Sequence, residues 1–188
     1  MIGLMRCFIA VELPGETRAE LQEMAGQLRR AGIRASWVRP ENMHLTLRFL
    51  GDIDEDQVQM AGERLDRDCR GISPFSLVVE SAGAFPNPRR PSVIWAGVGP
   101  LDGGLSELQA VTEQVATGIG LKPEKRPFRP HLTLARVRRP EEAGDVGHAL
   151  AILANFRGEA FAVSGVTLFS STLTPKGAVY KRIRECVF

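Results

Sequence analysis

His44-Leu45-Thr46-Leu47 is repeated as His131-Leu132-Thr133-Leu134, close to half of the 188-residue chain further on. A short match recurring at half-length is the signature of an internal duplication. On a β-strand, side chains alternate between faces. His44 and Thr46 therefore share one face, and Leu45 and Leu47 share the other. His131 and Thr133 separate from Leu132 and Leu134 in the same way. The leucines anchor each strand to a core. Each imidazole stands with its hydroxyl on the opposite side, about 7 Å apart along the backbone. Two such strands meeting in one cleft offer two imidazoles and two hydroxyls to one small group.

The order of elements around the motifs also repeats. Each half runs strand, helix, motif strand, helix, strand. Apolar residues at helical spacing predict helices over 16–31, 54–69, 101–119 and 141–153. Short apolar or alternating runs predict strands over 6–13, 43–50, 75–81, 92–98, 131–137, 161–170 and 178–188. A duplicated α+β unit of this kind places its two copies about a pseudo-twofold axis, with both motifs facing one cleft. No low-complexity segment or linker separates the halves, so residues 1–188 are expected to form one bilobal domain.

Composition bounds what such a domain does. Hydrophobic residues at 44% and charged residues at 24% exclude a disordered or fibrous chain. No apolar run approaches the roughly 18 residues that span a bilayer. The first apolar stretch is broken by Arg6 and Glu12 and closed by Pro14, unlike a signal-peptide core. A cytoplasmic monomer without membrane association is expected. Cys7, Cys69 and Cys186 form no close pair and read as reduced thiols, at least two of them in the core. Lysine occurs only at 122, 125, 176 and 181, so arginine supplies most of the 24 basic residues. Arginine suits planar, bidentate phosphate recognition. Basic residues cluster between Lys122 and Arg139, with Glu124 the one acid among them. That run reads either as a solvated face or as a track for a nucleic-acid backbone.

The chain has three histidines, and two of them sit in the repeated tetrapeptide. The third, His148, lies in a short charged helix and reads as a surface residue. Zinc-ligand spacing is missing and no carboxylate accompanies the motif histidines, so neither a metal nor another cofactor is expected. Acid–base catalysis fits better. The unperturbed imidazole pKa of about 6.5 lets one ring be neutral and another protonated near neutrality. Threonine hydroxyls donate to phosphoryl oxygens. Arg48 and Arg136 follow the motifs closely and are expected on the histidine face, and Arg129 two residues before His131 likewise. Such donors stabilise charge developing at phosphorus. With no nucleophilic Ser or Cys in the pattern, the set calls for metal-free displacement at phosphorus.

With these residues in view, the sequence resembles the 2H phosphoesterase superfamily, named for its two His-x-Thr motifs, and within it the RNA 2′,3′-cyclic phosphodiesterases, also called 2′-5′ RNA ligases. The resemblance runs through RCFIAVELP (6–14), WVRPENMHLTLRFLG (37–51), RPFRPHLTLAR (126–136) and STLTPKGAVY (171–180). It implies a bilobal fold with two antiparallel sheets around a central cleft and helices outside. It implies hydrolysis of a terminal 2′,3′-cyclic phosphate on RNA to a 2′-phosphomonoester, with some members joining tRNA halves through a 2′-5′ bond. Carried over, His44 and His131 are the catalytic pair, Thr46 and Thr133 hold the phosphate, and Arg136, Arg129 and Arg48 bind phosphate or backbone. His131 is taken as base and His44 as acid, although symmetric motifs give no independent reason for that order. Phe49 and Phe128 are read as core packing or as platforms for a base; the role of Tyr180 stays open. Two alternatives remain: a phosphodiesterase for 2′-5′ oligonucleotides or small cyclic nucleotides, and a non-catalytic RNA-binding module on the same fold.

Overall fold

The computed structural model describes residues 3–100, 103–175 and 177–188, and these form nine strands and four α-helices. Leu101 and Asp102, at the start of the expected 101–119 helix, and Lys176 lie outside the described residues. The chain runs β1 (Met5–Glu12), α1 (Gly15–Arg30), β2 (Ser36–Trp37), β3 (His44–Ile53), α2 (Glu55–Asp68), β4 (Phe75–Phe85) and β5 (Val93–Pro100). It continues with α3 (Gly104–Gly118), β6 (His131–Arg136), α4 (Val146–Ala151), β7 (Arg157–Val163), β8 (Gly165–Thr174) and β9 (Gly177–Val187).

Local chemistry sets several of these boundaries. Asp54 caps α2 by accepting from the Gln57 amide at 2.8 Å, while Gln57 Oε1 accepts from the Asp54 amide, a reciprocal capping box. The expected 141–153 helix is instead a short 3₁₀ turn followed by α4, because Gly144 adopts φ 87° between them. The expected 161–170 strand is two strands, β7 and β8, and they belong to opposite ends of the sheet.

All pairings are antiparallel, in the order β7-β4-β5-β6-β3-β1-β8-β9, with β2 pairing β6. The two expected sheets are the two halves of this order, β3-β1-β8-β9 and β7-β4-β5-β6. They join where β3 meets β6, through the single pair Leu45↔Leu132. The halves exchange elements. Strand β4 leaves the first half of the chain to pair with β5, and β8 returns from the second half to pair with β1. Helix α1 packs against β6 and β7, and α3 packs against β3 and β4. The contact of α1 with β7 includes a Glu20 carboxylate that accepts from the Glu159 amide at 2.9 Å. Beneath the helices lies one apolar core containing Leu45, Leu47, Leu132 and Leu134. The opposite face carries a small aromatic cluster of Phe8, Ala10 and Phe169 with Tyr180 against it. Cys7, Cys69 and Cys186 are free and buried, and burial pushes the thiols of Cys7 and Cys69 up to about 11.

Candidate active site

Strands β3 and β6 lie side by side at the seam, and their alternation builds the site. Leu45 and Leu132 oppose each other, both fully buried on the helix side. Continuing that register sets His44 beside Thr133 and Thr46 beside His131 on the other face. All four side chains line one cleft of about 440 Å³, together with Arg136, Arg6, Asn42, Phe8, Phe49, Ser171 and Tyr180. The histidine and threonine residues of both motifs thus meet as their spacing requires.

The three arginines divide. Arg48, expected in the cleft, is not among the residues lining it. Against Ile9 and Ala10 of β1, β3 carries one extra residue, Leu47. This β-bulge interrupts the alternation, so Arg48 lies on the helix side. There its Nε stands 2.7 Å from a Glu113 carboxylate oxygen of α3, and its guanidinium donates to the Lys122 carbonyl at 2.8 Å. Phe49 takes the cleft side and is 63% exposed, which corrects the core reading. The second copy has the same bulge at Leu134, between the partners of Ile94 and Trp95. Arg136 does reach the cleft, but not through the alternation expected of it: it is five residues after His131, which strict alternation puts on the leucine side, and the bulge turns it into the cleft. Ala135, at the position of Arg48, is fully buried. Arg129 is exposed beside the cleft, in a groove of about 510 Å³ that it shares with Phe49, Phe85, Phe128, Arg126 and His131, and whose wall Arg48 and Glu124 also join.

The two imidazoles are oriented alike but housed differently. His131 Nδ1 lies 2.7 Å from the Arg129 carbonyl, so Nδ1–H donates and the neutral ring keeps its Nε2 lone pair free. His44 bonds the Asn42 carbonyl, again two residues upstream. Its ring stacks on Phe8 at 4.8 Å and meets the edge of Tyr180 at 5.2 Å. His131 touches one aromatic ring, Phe85, edge-on at 5.1 Å. Burial among aromatics holds the His44 pKa down at about 4; the Asn42 carbonyl and the Glu12 carboxylate oppose that shift, and Arg136 adds to it. Burial also raises the Tyr180 phenol. His148 is exposed, and among the described residues no three His, Cys, Asp or Glu side chains gather as metal ligands.

Sequence reasoning missed Phe8, Asn42, Ser171 and Tyr180 in the cleft wall. A signal was present for β1: Arg6, Phe8, Ala10 and Glu12 alternate, and polar residues at its two ends mark that face as one that meets something other than core.

Comparison with known proteins agrees with this architecture. A family model described as LigT like Phosphoesterase matches residues 11–95 and again 98–180, one His-x-Thr motif in each match. The chain is 36% identical over 184 residues to an RNA 2′,3′-cyclic phosphodiesterase of Thermotoga maritima, covering 98% of this chain and 96% of that one. It is 36% identical over 189 residues to the protein of the same name from Archaeoglobus fulgidus, covering 96% and 98%. Among solved structures, TT0787 of Thermus thermophilus superposes with TM-score 0.79 at 29% identity over 97% of both chains. E. coli LigT complexed with 3′-AMP superposes with TM-score 0.77 at 24% identity over 99% and 98%, a likeness of fold.

Proposed function

This chain belongs to the LigT-like phosphoesterases of the 2H superfamily, and from that premise we propose that it hydrolyses the terminal 2′,3′-cyclic phosphate of RNA to a 2′-phosphomonoester. The observation that carries the reading is the convergence of His44, Thr46, His131, Thr133 and Arg136 on one cleft.

In this mechanism the phosphate sits between the motifs. Thr46 and Thr133 donate to its non-bridging oxygens, and Arg136 balances the charge that grows on them. His131, with Nδ1–H held by the Arg129 carbonyl, takes a proton from water through Nε2. The water oxygen bonds to phosphorus as the bond to the 3′ oxygen breaks in line with it. His44 gives its proton to that oxygen, leaving a 3′-hydroxyl and a 2′-phosphate. His131 then releases its proton to solvent, and His44 takes one up, restoring the starting state. Burial makes the His44 imidazolium a stronger acid than an ordinary histidine, which suits donation to an alkoxide; the phosphate anion stabilises the charged ring as it binds. With a 5′-hydroxyl in place of water, the same steps join two RNA ends, such as tRNA halves, by a 2′-5′ bond.

RNA is favoured over a small cyclic nucleotide by the groove beside His131. It opens from the cleft, sharing Thr46, Phe49 and His131 with it, and combines three aromatic rings with Arg126 and Arg129. Phe49 is exposed, while Phe85 and Phe128 are partly buried and Phe128 also packs against the core; exposed ring faces stack bases and arginines track the backbone.

The test is incubation with a nucleoside 2′,3′-cyclic phosphate in EDTA, with the product isomer assigned by phosphorus NMR. Turnover to the 2′-phosphate, unchanged by chelation, is expected. A 3′-phosphate product or loss of turnover in EDTA overturns the mechanism. RNA binding without any turnover supports the non-catalytic module instead.

A further inference from the structure

The two motifs are identical in sequence, yet β-ladder register gives their histidines different partners. In the first copy, β1 pairs with β3 and Glu12 is the residue opposite His44. In the second copy, β5 pairs with β6 as β1 does with β3, and Gly97 is the residue opposite His131. Residues directly opposite on an antiparallel ladder point to the same face, with Cβ atoms about 4.5–5.5 Å apart. A carboxylate is thus built opposite one imidazole and no side chain opposite the other. The asymmetry is enforced by packing. A Cβ at Gly97 would stand 2.6 Å from the Glu80 carbonyl oxygen, so that position excludes a side chain.

Glu12 is held in place. Its Oε1 accepts from the Thr167 hydroxyl at 2.8 Å, and its Oε2 pairs with the Arg182 guanidinium, whose Nε is 3.1 Å away. Thr167 is itself buried on β8. A bound, ionised carboxylate beside a half-buried imidazole favours the imidazolium.

Resting on the hydrolysis reading above, we propose that Glu12 is the positioning residue that makes His44, and not His131, the proton donor to the leaving 3′ oxygen. The other charged or titratable groups around His44 act against Glu12 or beside it. Arg136 of β6 and Tyr180 of β9 share the cleft with the ring. Arg18 of α1, Arg39, Glu41 and Arg182 line the pocket behind it. Glu12 is the acidic residue that pulls against burial and Arg136 at His44, although burial outweighs it.

The experiment uses Glu12→Gln, close in shape and able to keep the Thr167 contact, and Arg182→Gln, which frees the carboxylate from its cation. Histidine ring NMR titrations should move in opposite directions: His44 titrates lower in Glu12→Gln and higher in Arg182→Gln, while His131 is unmoved in both. A role in folding alone cannot produce opposite shifts in two folded variants. Kinetics then test the donor assignment. Glu12→Gln should slow a 2′,3′-cyclic phosphate roughly tenfold, less than the 10²–10⁴-fold typical of losing an acid or base outright. On the analogue with sulfur in place of the bridging 3′ oxygen, the thiolate leaves without a proton and the defect should largely vanish. An unmoved His44 titration, or an equal defect on the sulfur substrate, overturns the proposal. The titration needs no turnover, so it decides the Glu12–His44 coupling even if the hydrolysis reading fails.

Discussion

At the scale of single residues, the site is two imidazoles made unequal by their surroundings. His44→Ala and His131→Ala should each lower turnover of a cyclic phosphate by 10²–10⁴-fold while leaving a folded protein, checked by circular dichroism. Near-full activity in either variant would sink the two-histidine mechanism. Thr46→Val and Thr133→Val keep shape and strand propensity but remove a donor, at about 1.5–3 kcal/mol for a hydrogen bond to a charged group. Unchanged kcat/KM in both would mean the hydroxyls do not touch the phosphate. The His44 pKa of about 4 also fixes a pH dependence. With both rings protonated there is no base, and His44 gives up its proton near that pH, so the acid limb of kcat/KM should fall near pH 4. Bound phosphate favours the imidazolium, so the limb for kcat should lie higher. The same shift affects stability. Between the unfolded value of about 6.5 and the folded value, the unfolded chain binds a proton that the native chain does not. Stability from His44 is therefore complete above that window and lost as pH falls through it. His44→Gln should show a smaller drop in Tm between pH 6.5 and 4 than the unsubstituted protein.

At the scale of elements, the bulges at Leu47 and Leu134 decide which residues after each motif reach the cleft. They give opposite fates to two arginines that the chain places just beyond its motifs. Arg48 ties β3 to α3 through Glu113, with its side chain only 10% exposed and Glu113 25% exposed. Arg48→Ala leaves Glu113 without its cation and should cost about 1–3 kcal/mol in urea unfolding, discounted from a fully buried pair for partial exposure. Its kcat/KM for a mononucleotide, which reaches the cleft and not the groove that Arg48 helps to line, should change little once the protein is folded. Arg136→Ala should do the reverse, with stability nearly unchanged and kcat/KM reduced at least tenfold. If Arg48→Ala instead lost activity without losing stability, the bulge-based assignment would be wrong.

Across the whole molecule, the exchange of β4 and β8 between halves and the crossed packing of α1 and α3 hold both motif strands at one seam. The basic loop before β6 carries Arg126 and Arg129 along the groove beside the cleft. Salt should therefore weaken an oligonucleotide ending in a cyclic phosphate more than a mononucleotide, by a slope of about 0.7 per phosphate contact for single strands. Arg129→Gln and Phe128→Ala should raise KM for the oligonucleotide and leave the mononucleotide unchanged. Equal salt slopes for the two substrates would remove the groove from the RNA path.

The sequence alone determined the duplication, the α+β order and the shared face of the four motif side chains, because period-two alternation and a repeat at half-length are local facts that need no partner. It could not determine which way the residues just after each motif point, since a bulge arises from mismatch with a neighbouring strand. For the same reason the 161–170 run hid two strands: Ser164 is one residue in sequence but separates strands whose partners, β4 and β1, lie far apart. Tyr180 and Phe8 entered the site through cross-strand packing, which only the folded sheet defines. The deepest difference lies between the two histidines. Identical tetrapeptides have identical local physics, and their symmetry breaks in the folded sheet, where His44 is buried among aromatic rings and the ladder sets Glu12 opposite one imidazole and Gly97 opposite the other.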